Sequence, residues 1–272
     1  MRILLIGDVV GRPGRRALRE LLPAVMAESG ADFVVANGEN AAGGFGVTRK
    51  TVQELLDAGV DVVTTGNHVW DRKEILEFID EVPQLLRPAN FPPGTPGTGY
   101  VVARSRRSGE SVAVINLMGR TFMGALDCPF RTADRLIEEV AAHARVVLVD
   151  FHAEATAEKV AMGWYLNGRV SAVFGTHTHV PTADERLLPA GTAYITDLGM
   201  TGPHDSIIGM EREGVLRHML SALPHRFEVA PGRVRMDMAL VEVDARTGRA
   251  LSIERICRFS DMASSNTAAQ DE

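Results

Sequence analysis

Side chains that could bind metal ions follow five short apolar segments of this 272-residue sequence. Each segment is rich in Val, Ile, Leu or Ala, and a carboxylate, a carboxamide or an imidazole comes at or just after its end. Oxygen and imidazole ligands without a thiolate suit manganese, iron or zinc ions. The pattern therefore indicates metal coordination, with His68 among the same strand-end residues and candidate ligands at Asp8, Glu39, Asn40, Asn67, His152, His177 and His179.

Each candidate also has an ordinary structural explanation when it is taken alone. Asp8 could cap a helix, and His152 could be a hydrogen-bonded core histidine. The pair His177 and His179 would face the same way in an extended segment, which suits chelation. Packing does not easily explain five such coincidences, because a buried polar group without a partner costs a few kcal/mol. Metal coordination would satisfy all of these groups.

Seven candidate ligands exceed what one tetrahedral ion can take. Two ions that share a carboxylate are the economical assignment. Such a pair, about 3.5–4 Å apart, is typical of phosphatases and nucleases, where it activates a water and stabilises charge on phosphoryl oxygens.

The elements that must position these residues alternate between short strands and amphipathic helices, which predicts βαβ units and a largely parallel sheet. The carboxyl ends of parallel strands lie at one edge, so the polar residues would meet there. The predicted strands are Ile3–Ile6, Phe33–Ala36, Val60–Thr64, Tyr100–Ala103, Val112–Asn116, Val146–Phe151, Ala172–Phe174 and Thr192–Thr196, followed by a hairpin of Arg233–Asp244 and Ala250–Arg258. The predicted helices are Pro13–Ser29, Arg49–Ala58, Asp71–Asp80, Thr132–His143 and Thr156–Asn167.

No linker or internal repeat divides the sequence, so we expect a single domain over residues 1–260 and a frayed tail over 261–272. The net charge of −6 excludes a basic protein that coats nucleic acid. Two distant cysteines, Cys128 and Cys257, exclude a disulfide framework and favour a reducing cytoplasm. No apolar stretch approaches the length of a membrane span, so we expect no membrane partner.

Other motifs carry less information. The glycines at positions 7, 11 and 14 lack the spacing of a dinucleotide site. Phe45, Trp70 and Phe122 could stack on a nucleobase, although ordinary packing is the simpler explanation for all three. His204 is the one histidine outside the strand-end set that could face a substrate, and a plain loop histidine is the alternative.

The order of these motifs resembles that of the calcineurin-like metallophosphoesterase superfamily. The matching motifs are Gly7-Asp8, Gly38-Glu39-Asn40, Gly66-Asn67-His68, His152 and Gly175-Thr176-His177-Thr178-His179. One departure is that the superfamily usually has Asp-x-His in its first motif, whereas Val9 and Val10 follow Asp8 here. Asn40 is the nearest replacement for the missing histidine.

Two longer strings, at 150–159 and 199–209, resemble the YmdB-like family of bacterial phosphodiesterases. The resemblance implies an α/β fold, a four-layer αββα sandwich with mixed sheets. It also implies a metallophosphoesterase that hydrolyses 2′,3′-cyclic nucleotides to 3′-nucleotides. A cytoplasmic homo-oligomer that acts on cyclic nucleotides and on RNA-derived substrates is implied as well. The implied cofactors are two divalent or trivalent metal ions, iron first and manganese or zinc as alternatives.

The resemblance also implies a role for each matching residue. Asp8, Glu39, Asn40 and His179 would hold the first ion, and Glu39, Asn67, His152 and His177 would hold the second, so that Glu39 bridges. His68 would act as the general acid that protonates the departing 2′ oxygen, while a hydroxide activated by the metal pair attacks phosphorus. A substrate phosphate or a nearby carboxylate must then keep His68 protonated.

Further roles and activities stay open from the sequence. Asp150 and Glu154 could orient metal ligands through hydrogen bonds. A phosphomonoesterase or another phosphodiesterase could use the same centre. The protein could instead be a regulatory binding module whose metals shape a surface for a partner.

Overall fold

The apolar segments form the strands of two β-sheets in the computed structural model, which describes residues 1–260. The strands are β1 (Arg2–Ile6), β2 (Asp8–Val9), β3 (Phe33–Asn37), β4 (Val62–Thr64), β5 (Tyr100–Arg104), β6 (Ser111–Met118), β7 (Val146–His152), β8 (Ala172–Thr176), β9 (Arg186–Leu187), β10 (Ala193–Ile195), β11 (Met200–Pro203), β12 (Val234–Val243) and β13 (Ala250–Ser260). The helices are α1 (Gly11–Ser29), α2 (Arg49–Asp57), α3 (Pro129–Val140), α4 (Thr156–Tyr165) and α5 (Arg212–Ser221).

Both sheets are mixed. The first has the order β2-β11-β12-β1-β3-β4, with β13 paired to β12. Within it β1, β3 and β4 run parallel, whereas β12 pairs antiparallel with β1, β11 and β13. The second sheet has the order β5-β6-β7-β8-β10-β9, and β6, β7, β8 and β10 run parallel within it.

Three apolar cores separate four layers. In β1, Leu4 and Ile6 face the core beneath α1 and α2, whereas Ile3 and Leu5 face the core between the two sheets. Strands that are buried on both faces need apolar residues at successive positions, which explains the continuous apolar runs of the sequence. A third core packs α3 and α4 against the outer face of the second sheet. The expected αββα sandwich with mixed sheets is confirmed.

Two sequence predictions about elements are wrong. The strands form two sheets rather than one largely parallel sheet. The helix predicted over Asp71–Asp80 is replaced by two short 3₁₀ turns, Lys73–Glu77 and Ile79–Glu81. Phe78 interrupts them at φ −137° and buries its ring in the core beneath α2, so tertiary packing overrides the helical spacing.

The predicted tail, 261–272, lies outside the described residues, and the single-domain organisation stays a prediction. No helix over residues 1–260 is long and apolar enough to cross a membrane. Cys128 and Cys257 are both free, as their spacing predicts.

Candidate metal centre

The structure brings all seven predicted metal ligands together, from two sheets. Asp8, Glu39, Asn40 and Asn67 lie at or beyond the carboxyl ends of β1, β3 and β4 in the first sheet, and His152, His177 and His179 lie at or beyond those of β7 and β8 in the second. The residues therefore converge where the carboxyl ends of two stacked sheets meet. They do not lie along the edge of one sheet.

Four of these residues form a tight set that we call the His152 group, namely Glu39, Asn67, His152 and His177. The Nε2 atom of His152 lies 2.9 Å from Asn67 Oδ1, 3.1 Å from Glu39 Oε1 and 3.1 Å from His177 Nδ1. Three acceptors thus surround one N–H. Donor atoms bound to one ion at about 2.0–2.2 Å lie at similar distances from one another, so the set has the spacing of a coordination shell.

The second set, which we call the Asp8 group, consists of Asp8, Asn40, His179 and again Glu39. The Nε2 atom of His179 lies 3.7 Å from Asp8 Oδ1 and 3.1 Å from Asn40 Nδ2, which in turn lies 3.4 Å from Glu39 Oε1. Asp8 is fully buried, and its Oδ1 has no hydrogen-bond partner among the described residues. Rotation of the Asn40 carboxamide by a half-turn would place its oxygen, which can bind a metal ion, where its nitrogen now lies. A buried carboxylate oxygen without a partner fits a cation-binding position.

Burial and neighbouring charge set the ionisation of the His152 group. Burial favours the neutral form of His152, but the carboxylates of Glu39, Asp8 and Asp150 outweigh it and raise the pKa of His152 to about 9. Burial also opposes ionisation of Glu39, yet contact with His152 lowers its pKa to about 2. The pKa of His177 falls to about 3, through burial and the adjacent His152 charge. A protonated His152 therefore places its Nε2–H among these acceptor atoms.

Two polar residues beneath the cluster orient His152. Its Nδ1 lies 2.9 Å from Thr176 Oγ1, and that hydroxyl donates to Asp150 Oδ1 at 2.8 Å. Burial raises the pKa of Asp150 to about 7. These contacts leave Nε2 of His152 directed at the cluster. Asp150 thus orients the His152 ring through the Thr176 hydroxyl.

Glu154 contacts the other side of His177. Its Oε2 lies 3.1 Å from His177 Nε2, which leaves Nδ1 of the same ring facing His152. The contact has the geometry expected of a carboxylate that orients a histidine ligand.

The segment that carries His177 and His179 is not extended, contrary to the sequence expectation. β8 ends at Thr176, and both histidines adopt left-handed backbone conformations, with φ of 99° and 63°. Left-handed geometry is costly for residues other than glycine. The two rings consequently enter different groups of the cluster instead of chelating side by side.

A buried ion pair holds this strained segment in place. The carboxylate of Asp197 accepts hydrogen bonds from the backbone N–H and the hydroxyl of Thr178, at 3.2 and 2.7 Å. Lys159 of α4 is itself buried and lies 2.7 Å from the same oxygen. Thr178 separates the two histidines, so Asp197 and Lys159 fix both rings at once.

His68 lies beside the cluster and outside both groups. Its backbone N–H donates to Glu39 Oε2 at 3.0 Å, and its Nδ1 lies 2.8 Å from Asp71 Oδ2. The Phe45 ring packs edge-on against the imidazole, with centroids 5.0 Å apart. Asp71 therefore places a carboxylate within hydrogen-bond distance of the His68 ring.

The cluster opens into a cavity of about 510 Å³. His68, Phe45 and Glu154 line it beside the two groups. The chain around α5 lines the cavity with His218 and with an apolar surface. We call this surface the apolar wall, formed by Ile207, Ile208, Met210, Val215, Met219 and Phe227.

Of the aromatic residues and the loop histidine that the sequence offers as substrate contacts, only Phe45 lines the cavity. Phe45 lines the cavity, whereas Trp70 packs against Phe91 and Phe122 is 88% exposed elsewhere. His204 packs against Phe259, with ring centroids 5.3 Å apart, and is not among the cavity residues. His204 is therefore a loop histidine, as the alternative explanation holds.

Several residues at the site were not found from the sequence. Asp197 follows strand β10, so it carries the same signal as the predicted ligands, and Asp71 stands three residues after His68. The apolar wall and helix α5 had no comparable signal, because their apolar residues are scattered among charged ones.

A family model for YmdB-like proteins matches residues 4–256 of this sequence. The chain belongs to the YmdB-like family. A relative from Bacillus subtilis strain 168, named 2′,3′-cyclic-nucleotide 2′-phosphodiesterase, is 54% identical to this YmdB-like chain over 256 residues, which cover 94% of this chain and 96% of the relative.

Solved structures agree with this assignment. A structure described as a novel phosphatase from Mycoplasma pneumoniae has a TM-score of 0.89 and 34% identity, covering 96% of this chain and 94% of its own. The calcineurin-like phosphoesterase YfkN from Bacillus subtilis has a TM-score of 0.56 at 11% identity, covering 96% and 90% of the two chains. The YmdB-like chain therefore has the calcineurin-like phosphoesterase fold.

Proposed function

We propose that this protein is a metallophosphoesterase that hydrolyses 2′,3′-cyclic nucleotides to 3′-nucleotides with two metal ions. The observation that carries the proposal is Glu39 Oε1, which faces His152 on one side and the Asn40 carboxamide on the other. One buried carboxylate thus joins two sets of oxygen and nitrogen donors. Membership of the YmdB-like family and the named activity of the Bacillus subtilis relative support this substrate class.

The donor chemistry of both groups fits metal ions. The Asp8 group would hold one ion and the His152 group the other, with Glu39 shared between them. Two ions at this position would supply an activated water and would stabilise charge on the phosphoryl oxygens. The Nδ1 atom of His179 donates to Ile208 O at 2.9 Å, so in the neutral ring Nε2 carries the lone pair and faces the Asp8 group.

His68 fits the role of general acid. Its Nδ1–H is directed at Asp71, which fixes the ring and leaves Nε2 as the nitrogen that can transfer a proton. The ring lines the cavity beside Glu39 without belonging to either donor set. Protonation of the departing 2′ oxygen from this position would leave the phosphate on the 3′ oxygen.

The test is turnover of 2′,3′-cyclic AMP by the purified protein with manganese or ferrous iron, followed by identification of the product. Replacement of His68 by Ala should lower turnover by about 100-fold or more, because a positioned general acid contributes about that much. His143→Ala is the matched control, since His143 is exposed and is not among the residues that line the cavity. Formation of 2′-AMP, or full activity without His68, would contradict the assignment.

The same assay separates the related activities. The Mycoplasma pneumoniae structure is described as a phosphatase, so p-nitrophenyl phosphate and 3′,5′-cyclic AMP belong in parallel reactions. Faster hydrolysis of either compound would replace the cyclic 2′,3′ substrate in our proposal. Equal binding of a partner by the wild type and by inactive His68→Ala would favour a regulatory module.

The proposal includes four further expectations. We propose iron as the first choice of metal, RNA-derived cyclic phosphates as a second source of substrate, a homo-oligomer and a cytoplasmic location. Metal analysis of protein purified without added metal and its mass in solution by light scattering test the first and the third.

A further inference from the structure

Apolar side chains are unusually exposed on one side of the cavity. Ile208 is 49% exposed and Met219 is 69% exposed, and both line the cavity together with Phe227. Exposed apolar surface beside a functional centre commonly marks a ligand contact.

The apolar wall is tied directly to the proposed metal centre. The carbonyl oxygen of Ile208 accepts the hydrogen bond from His179 Nδ1 at 2.9 Å, and Ile208 itself has a left-handed φ of 47°. On the other side, a Cβ on Gly44 would come within 2.8 Å of the Met210 side chain, so the loop that carries Phe45 packs against the wall. Ile208 of the apolar wall therefore contacts His179 of the Asp8 group directly.

The size and chemistry of the cavity restrict the occupant. About 510 Å³ accommodates a group larger than a phosphate, since ligand pockets commonly span about 300–1,000 Å³. The lining residues from the segment 207–227 are apolar except His218, whose Nδ1 donates to Leu223 O at 2.6 Å. Phe227 and Phe45 are the aromatic side chains of phenylalanine that line the cavity, and a flat ring can stack on side chains of this kind.

We infer that the apolar wall receives the nucleobase of the substrate, with Phe227 as its aromatic contact. This inference rests on the proposed function, because it assigns a place to one part of the proposed substrate. Discrimination between bases needs paired donors and acceptors at the base edge, and this wall offers the ring of His218 alone. The enzyme should consequently require a base but accept all four, with values of kcat/KM within about tenfold of one another.

Binding of products tests the inference without turnover. Isothermal titration of the manganese-loaded protein should show 3′-AMP binding at least about tenfold more tightly than inorganic phosphate, since stacking on an aromatic ring contributes about that much. Phe227→Ala should weaken 3′-AMP by about tenfold and leave phosphate unchanged. Phe122→Ala is the matched control, because Phe122 is 88% exposed and outside the cavity lining.

A second variant tests the inference independently, in case Phe227→Ala fails to fold. Met219→Ala removes a side chain that is 69% exposed, and it should weaken 3′-AMP by about threefold with phosphate again unchanged. Equal affinities of 3′-AMP and phosphate in the wild type would overturn the inference, and so would equal losses for both ligands in the two variants. Base-dependent binding without hydrolysis of any cyclic nucleotide would overturn the proposed function and leave the inference standing.

Discussion

The His152 group and the Asp8 group meet the cost of burying polar atoms in different ways. In the His152 group, three acceptors surround the Nε2–H of His152, so every ligating atom already has a partner. In the Asp8 group, Asp8 Oδ1 has none among the described residues, and burial raises the pKa of that carboxyl. A proton on His152 satisfies the acceptors of the first group, whereas nothing among the described residues satisfies Asp8 Oδ1 in the second. The comparison predicts that the two positions respond differently to substitution and to pH.

Glu39→Gln should have the largest effect, because Glu39 belongs to both groups. Loss of a residue that only orients a metal ligand costs about 10–100-fold in metal affinity or activity. Loss of a shared ligand should therefore lower turnover by more than about 100-fold. Metal content, measured by plasma mass spectrometry, should fall at both positions. Glu185→Gln, whose carboxylate pairs with Arg255 at the surface, is the control. Full activity in Glu39→Gln would refute the shared position.

Lys159→Met should destabilise the fold by about 3–5 kcal/mol, because it leaves Asp197 buried without its cation. Asp197 also holds Thr178 between His177 and His179, so the change should reach both groups. Urea unfolding of the metal-free protein measures the effect. Arg255→Met breaks a partly exposed pair and should cost about 1 kcal/mol or less. Equal losses in these two variants would mean that the buried pair does not hold the segment.

Asp8→Ala should remove one ion and leave the other. The His152 group contains no atom of Asp8, so about one equivalent of manganese should remain bound of the proposed two. Asn67→Ala is the reciprocal variant, because Asn67 belongs to the His152 group alone. Retention of both ions in either variant, or loss of both ions in each, would show that the groups are not separate.

A pH titration of the metal-free protein should have the smallest effect and should report on the His152 group. The pKa of His152 is raised from 6.5 to about 9, so the folded state binds more protons than the unfolded state over this interval. Its contribution is complete below pH 6.5 and is lost as the pH rises to about 9. The melting temperature should therefore fall over that range, and it should stay nearly constant in the metal-loaded protein, where a cation replaces the proton. A flat profile without metal would contradict the raised pKa.

The sequence located the centre because chemistry and local structure coincide there. Asp8, Glu39, Asn67 and His152 each stand at or just after a run of apolar residues, and such a run is visible without any knowledge of the fold. The strands themselves were predictable for the same reason, since burial on both faces leaves a continuous apolar signal. Asp197 follows the end of β10 in the same way, so the sequence carries an equal signal there.

Only the tertiary structure decided how these residues meet. Nothing in a run of apolar residues tells which sheet a strand joins, and the centre lies where the carboxyl ends of two sheets come together. Backbone conformation was equally hidden, because the left-handed geometry at His177 and His179 depends on Asp197 and Lys159, which are distant in sequence. The apolar wall depends on the placement of α5, whose exposed apolar residues give no periodic signal. Local order thus determined which residues are candidates for the chemistry, and contacts between distant segments determined the shape of the site around them.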